Sequence, residues 1–126
     1  MTDEDFLRRL ADCSLPIEAF DHRGHVRAAY LVLCDAECFG EALARMRRLI
    51  TAYAASIGKA GLYHETITVA FMALINQRRA ESGGALSWAA FAEANPDLFD
   101  KDILTDRYET SVLKSDLARQ VFVLPG

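Results

Sequence analysis

The chain has 126 residues, of which 52% are hydrophobic and 25% are charged. This length fits one domain with one core, and this composition excludes a disordered chain and a fibrous repeat. The formal net charge of −4 favours solubility and gives nucleic acid no general electrostatic attraction. We therefore expect a single helical domain over residues 1–126 and no nucleic-acid partner.

Three local features bear on location. Residues 1–5 are acidic and lack the basic and apolar regions of a secretory signal. The most apolar run, residues 69–75, is far shorter than the about 20 residues that a membrane-spanning helix needs. Cys13, Cys34 and Cys38 are an odd number without CxxC spacing, which is typical of reduced thiols. These features predict a cytoplasmic protein without a membrane span, whose cysteines lie in the core.

The first half of the chain carries three helix patterns. Thr2 precedes an acidic run and apolar residues at helical spacing, which predicts a first helix over about residues 2–12. Asp21 has the side chain of an N-cap and predicts a second helix from residue 22 toward residue 36. A long apolar stripe predicts a third helix from residue 39 to Gly58. Arg45, Arg47 and Arg48 lie opposite this stripe and are interpreted as a solvated helix face.

The second half predicts further helices of decreasing regularity. Residues 63–82 form a largely buried pattern that ends at a glycine pair, and Ser87 predicts a short helix after it. Ser111 or Ser115 caps a last helix, and the apolar tail of residues 121–125 is expected to pack down. No strand alternation appears. The predicted fold class is all-α, a helical bundle with one or two short peripheral helices.

The three histidines all lie on otherwise apolar helix faces. His22 and His25 are three residues apart at one helix start, so their imidazoles can converge on one point. His64 lies at the start of the predicted fourth helix. In an up-down bundle the second and fourth helices run parallel, so their N-termini share one end. The sequence therefore predicts that all three histidines face one pocket, with Glu65 at its rim.

This arrangement is typical of a divalent metal site. Three imidazole nitrogens leave an open position for water or substrate, and zinc, nickel, iron and copper are all eligible. We hypothesise a pocket for a small-molecule ligand with hydrolytic or proton-transfer activity, in which His22, His25 and His64 are ligands or bases. Glu65 would orient a ligand, bind the metal or exchange a proton. The residues expected to line this pocket are Tyr30, Tyr63, Thr66 and Thr68.

An alternative hypothesis belongs to a different functional class. A single inward histidine is more often a hydrogen-bonded core residue than a ligand. The three rings would then form a buried structural hydrogen-bond cluster in a non-catalytic interaction or sensor module. In that case the apolar tail would dock a partner or a second copy of the chain as a homo-oligomer, and exposure of the tail would favour this alternative.

Several short motifs resemble those of a known group of proteins. Residues 20–25 read F-x-H-x-x-H and residues 63–66 read Y-H-E-T. An A-N-P-x-L segment covers residues 94–98, and S-D-L-A-R and F-V-L-P close the chain. In these motifs the chain resembles a family of small uncharacterised bacterial all-helical proteins, which implies no particular mechanism. The architecture is also similar to DinB-like and hemerythrin-like metal-binding bundles, whose different histidine spacing prevents a transfer of ligands.

Overall fold

The computed structural model describes residues 1–126 and contains seven α-helices and no strand, so the predicted all-α class is confirmed. The helices are α1 (Asp3–Ala11), α2 (His22–Asp35), α3 (Phe39–Ser56), α4 (Glu65–Glu81), α5 (Trp88–Ala94), α6 (Thr110–Leu113) and α7 (Asp116–Gln120). Short 3-10 turns cover residues 17–19, 60–62, 96–99 and 103–106.

Side-chain caps explain where several helices begin. Thr2, Asp21 and Ser87 each accept a hydrogen bond from the backbone N–H three residues ahead, as their positions in the sequence predict. Ser115 does the same for α7, whereas Ser111 lies inside α6. The start of α4 differs from the prediction, because Tyr63 lies outside the helix and His64 is its N-cap.

The three longest helices form the centre of the fold. α3 packs against both α2 and α4, and all three contribute to one hydrophobic core. α2 and α4 run parallel, since the His22 ring contacts Phe71 in the first half of α4 and the Leu33 carbonyl accepts a hydrogen bond from Arg79 in its last turn. Hence the N-terminal ends of α2 and α4 share one end of the bundle, as the connection through one intervening helix predicts.

The C-terminal segment is fastened to α4 through its backbone. The Thr66 hydroxyl donates to the Val121 carbonyl at 2.8 Å and accepts from the Val123 N–H at 3.0 Å. The Tyr108 hydroxyl donates to the Val123 carbonyl at 2.7 Å. The tail packs down in this sense, yet Phe122 keeps 40% and Leu124 75% of their surface exposed. Hydrogen bonds from the hydroxyl groups of Thr66 and Tyr108 to the backbone of the tail therefore hold it, more than burial of its own side chains does.

The predicted core position is wrong for two of the cysteines. Cys34 and Cys38 are exposed, Cys13 is half-buried, and all three are free thiols. Cys34 lies in the last turn of α2 and Cys38 is the N-cap of α3, so the two thiols flank the short connection between these helices. None of the helices combines the length and the apolar character that crossing a membrane requires.

Gly24 permits a close approach between two backbone segments. A Cβ atom at this position would overlap the carbonyl oxygen of Ala19, which belongs to the turn before α2. Because that obstacle is backbone, it cannot rotate away as a flexible side chain would. The absence of a side chain at Gly24 thus allows the turn at residues 17–19 to lie against the first turn of α2.

A pair of glycine substitutions tests this close approach. We expect Gly24→Ala to lower the free energy of unfolding by about 1–3 kcal/mol, because the added methyl group overpacks the turn. Gly40→Ala is the matched control, since nothing lies within 4 Å of a Cβ at that position in α3. The control should leave stability unchanged or raise it by up to about 1 kcal/mol. Urea denaturation measures both, and equal effects would contradict the role of Gly24.

Candidate functional site

Two adjoining cavities of about 380 and about 400 Å³ lie between α2, α3 and α4. Each has the volume of a small-molecule pocket, for which about 300–1,000 Å³ is usual. Both are lined by Phe20, His25, Ile50, Ile67 and Thr68, so they form a single surface, which we call the central cleft. Nine of the 13 residues lining each cavity are hydrophobic, so the polar residues among them are few.

The three histidines are distributed along this cleft. His22 and His25 line the first cavity, and His25 and His64 line the second. His25 therefore lies where the two cavities meet. No group of three or more histidine, cysteine, aspartate or glutamate side chains is placed to hold a metal ion. The rings share the cleft but do not converge on one point, and the three-histidine metal centre stays a prediction that this geometry does not support.

His64 has a structural position at the start of α4. Its Nδ1 accepts the backbone N–H of Ile67 at 3.1 Å, and its Nε2 donates to the Leu113 carbonyl at 2.6 Å. The residue is buried, with 9% of its surface exposed. Since an accepting Nδ1 and a donating Nε2 together describe the neutral tautomer, both nitrogens are already occupied. Neither is available to a metal ion or a substrate while α4 keeps this cap.

Only one of the two ring nitrogens of His22 has a hydrogen-bond partner in the protein. Its Nε2 lies 2.9 Å from the Leu98 carbonyl, to which it donates, and its ring makes an edge contact with Phe71. This hydrogen bond joins the first turn of α2 to the turn at residues 96–99. One of the two nitrogens therefore serves the fold.

His25 is the histidine without a protein partner. Its ring stacks on Phe20 at a centroid distance of 3.9 Å and an interplanar angle of 15°. Both ring nitrogens of His64 and one of His22 are hydrogen-bonded to the protein, whereas neither nitrogen of His25 is. Burial, and to a smaller degree the charge of His22, lowers the pKa of His25 to about 4, while Asp21 acts in the opposite direction. At neutral pH this imidazole is uncharged and offers the cleft one donor and one acceptor.

The carboxylate of Glu65 is occupied by partners within the protein. Arg47 donates to its two carboxylate oxygens at 2.9 and 2.5 Å, and the Tyr63 hydroxyl donates at 2.6 Å. The hydrogen bond from Arg47, more than that from Tyr63, lowers the pKa of Glu65 against the effect of burial. Glu65 lines neither cavity. Its predicted position at the rim is wrong, because α3 and α4 are joined through this pair, and for the same reason Arg47 is not merely solvated.

Two of the four residues expected to line the pocket do so. Tyr63 lines the second cavity and Thr68 lines both. Tyr30 and Thr66 line neither, so their predicted role is wrong. The Tyr30 hydroxyl donates to the Leu86 carbonyl and its ring stacks on Phe91, which places it on the opposite side of α2. Thr66 is fully buried beneath the C-terminal tail that it binds.

Sequence reasoning missed the residues at the mouth of the second cavity. Lys59, Ile57 and Leu62 lie between α3 and α4, and Ile17 lies in the turn before α2. The segment at residues 58–61 reads as a simple hinge because of its two glycines. The signal that could have identified them is the pair of large apolar residues on either side of that hinge, where solvent-exposed loops usually carry polar side chains.

Comparison with known proteins finds no match to this chain among family models, curated proteins or solved structures. The resemblance of its motifs to small bacterial helical proteins stays a prediction. The functional argument therefore depends on the geometry of the cleft.

The low pKa of His25 predicts how stability responds to pH. Its pKa falls from 6.5 in the unfolded chain to about 4 in the fold, so the unfolded state binds more protons between these values. The free energy of unfolding should therefore fall as pH falls through this range, by about 2–3 kcal/mol between about pH 6.5 and about pH 4.5. His25→Phe keeps an aromatic ring against Phe20 and should remove this contribution.

Urea denaturation of both proteins at about pH 7 and about pH 4.5 measures the difference. The wild type should lose more stability on acidification than the variant, whereas parallel losses would show that His25 is readily protonated in the fold. Histidine NMR titration gives a direct check, because the resonance of His25 should change near pH 4.

Proposed function

We propose that this protein binds a small, mainly apolar molecule in the central cleft, and that His25 is the polar group that recognises it. The observation that carries the proposal is the position of this ring at the junction of two apolar cavities with no protein partner for either nitrogen. The imidazole is half-buried and its nitrogens are not closed off from solvent, so a ligand with a hydroxyl or similar group can reach them and form a hydrogen bond in mainly apolar surroundings.

The apolar lining supports this assignment. Met46, Ile50, Phe71 and Met72 surround the first cavity, and burial of apolar ligand surface there would supply most of the affinity. Methionine side chains adapt to ligands of different shape, because they are unbranched and polarisable. One hydrogen-bonding residue in such surroundings gives selectivity, since an analogue without the matching group leaves the imidazole unpaired.

Proton transfer is the chemistry that His25 could add to binding. An uncharged imidazole accepts a proton when it acts as a general base, but a pKa of about 4 makes His25 a weak base near neutral pH and favours hydrogen bonding over full proton transfer. The metal-dependent form of this activity would need ligands that the cleft does not bring together. We retain a cytoplasmic location within the proposal, because the three free thiols fit a reducing compartment.

Two probes of equal shape test the role of His25. p-Cresol and p-xylene differ only in that a hydroxyl group replaces a methyl group, and methyl NMR of Ile50 and Ile67 follows their binding. His25→Phe should weaken p-cresol binding about tenfold, which corresponds to one lost hydrogen bond of about 1.4 kcal/mol. The affinity for p-xylene should change by less than about twofold, because the apolar contacts remain.

Lys101→Met is the control, since Lys101 is exposed and lines neither cavity. It should preserve the preference of the cleft for p-cresol. Equal affinities of wild type and His25→Phe for p-cresol would contradict recognition by His25. If neither probe shifts the resonances of Ile50 and Ile67, the cleft is not a binding site and the proposal is wrong.

Exposure of the C-terminal tail favours a second candidate, an interaction module that pairs with a second copy of the chain. Leu117, Val121, Phe122 and Leu124 all remain between 40% and 75% exposed within residues 117–124. Phe122→Ser should then reduce self-association measured by sedimentation at increasing protein concentration, whereas Ile17→Ser, at an exposed position outside the tail, should not. A wild type that stays monomeric throughout would rule out self-association.

A further inference from the structure

The charge distribution of the central cleft narrows the class of its ligand. Resting on the proposed function, we propose that the cleft takes an elongated carboxylic acid whose carboxylate pairs with Lys59 and whose apolar part extends into the first cavity. In this arrangement His25 faces the middle of the ligand, where it would meet a hydroxyl substituent.

Lys59 lies at the mouth of the second cavity. Gly58 adopts a positive φ of 74° after α3, and the chain then turns back through residues 60–62. The backbone N–H of Lys59 donates to the Ala54 carbonyl at 2.7 Å, which fastens this segment to the end of α3. Lys59 lines the cavity together with His25 and Tyr63. It is the one cationic group that lines either cavity.

No carboxylate in the protein neutralises this lysine. The five ion pairs of the structure all involve arginines. Glu65, close in sequence, is occupied by Arg47 and Tyr63. Glu18 neighbours the rim residue Ile17, and burial together with the charge of Glu18 raises the pKa of Tyr53 in the second cavity. Glu18 nevertheless lines neither cavity and forms no ion pair with Lys59. An incoming anion would therefore meet an unpaired ammonium group.

The surroundings of Lys59 are apolar. Ile17, Ile57 and Leu62 line the same cavity and remain 48%, 37% and 62% exposed, although large apolar side chains are usually covered. A cation beside exposed aliphatic side chains is complementary to a ligand with a negatively charged end and an apolar body. A fully polar anion would gain the charge interaction but leave the aliphatic groups in water.

Asp21 sets the direction of the ligand. Its carboxylate caps α2 through the N–H of Gly24 at 2.8 Å and lines the first cavity but not the second. A ligand carboxylate would be repelled at that end and attracted at the end that holds Lys59. The apolar body would then contact Met46, Phe71 and Met72.

A series of eight-carbon probes separates the effect of charge from that of the apolar chain. Octanoate, 1-octanol and octylamine carry a negative, a neutral and a positive end group at about pH 7. Methyl NMR of Ile50 and Ile67 measures binding to wild type, to Lys59→Met and to the control Lys101→Met. Methionine keeps most of the apolar length of lysine, and Lys101 is exposed and lines neither cavity.

We expect the wild type to bind octanoate more tightly than octylamine. Lys59→Met should weaken octanoate about threefold to fivefold, which is the size of a partly exposed ion pair, and should leave 1-octanol within about twofold. Salt at about 0.5 M should weaken octanoate binding to the wild type but not to the variant. Lys101→Met should behave as the wild type.

The results distinguish this inference from the proposed function. If 1-octanol shifts Ile50 and Ile67 but Lys59→Met does not change octanoate binding, the assignment of a carboxylic acid is overturned and the cleft remains a binding site. Preference for octylamine would overturn it in the same way. If neither the three eight-carbon probes nor p-cresol and p-xylene shift the resonances of Ile50 and Ile67, the cleft is not a binding site. The proposed function is then wrong, and this inference is wrong with it.

Discussion

The start of α4 is the constraint on which the rest of the structure depends. Within residues 63–68, His64 caps the helix and binds the Leu113 carbonyl, and Thr66 binds the backbone of the C-terminal tail. Glu65 receives the guanidinium of Arg47 from α3. These three adjacent side chains therefore form hydrogen bonds from one helical turn to three different parts of the chain: α3, the residues before α7 and the C-terminal tail. The position of α4 relative to α3 and to the last helices follows from these contacts.

Because these hydrogen bonds within the protein engage many of the polar side chains, they determine which hydrogen-bonding groups are still available to a ligand. A neutral imidazole with both nitrogens hydrogen-bonded, or a carboxylate held by a guanidinium and a phenol, has little capacity for further partners. The hydrogen-bonding groups of His64 and Glu65 therefore already have partners within the protein, and one of the two ring nitrogens of His22 donates to the Leu98 carbonyl. His25 differs because the face of its ring is fixed by Phe20 while its nitrogens are not. Stacking orients this ring without consuming its hydrogen-bonding groups.

Helical periodicity was sufficient to predict most of the architecture. The caps at Thr2, Asp21 and Ser87 depend on residues within three positions, so local sequence determines them. The parallel relation of α2 and α4 followed from the connection through one helix. The partners of Glu65 and Thr66 could not be predicted in this way, because Arg47 and Val121 lie 18 and 55 residues away. Angular position on a helix places a side chain on a face but does not say which long-range partner fills that face.

The depth of each group in the cleft follows the free-energy cost of burying it, since the charged group is the most exposed and the apolar groups are the deepest. The charged ammonium group of Lys59 lies at the exposed mouth, where water still solvates it. The half-buried middle carries His25, whose low pKa keeps it neutral and so avoids a buried charge. Apolar side chains such as Met72 and Ile75 form the deepest wall. A molecule that is charged at one end, polar in the middle and apolar at the other end would satisfy each zone, and no simpler shape would satisfy all three.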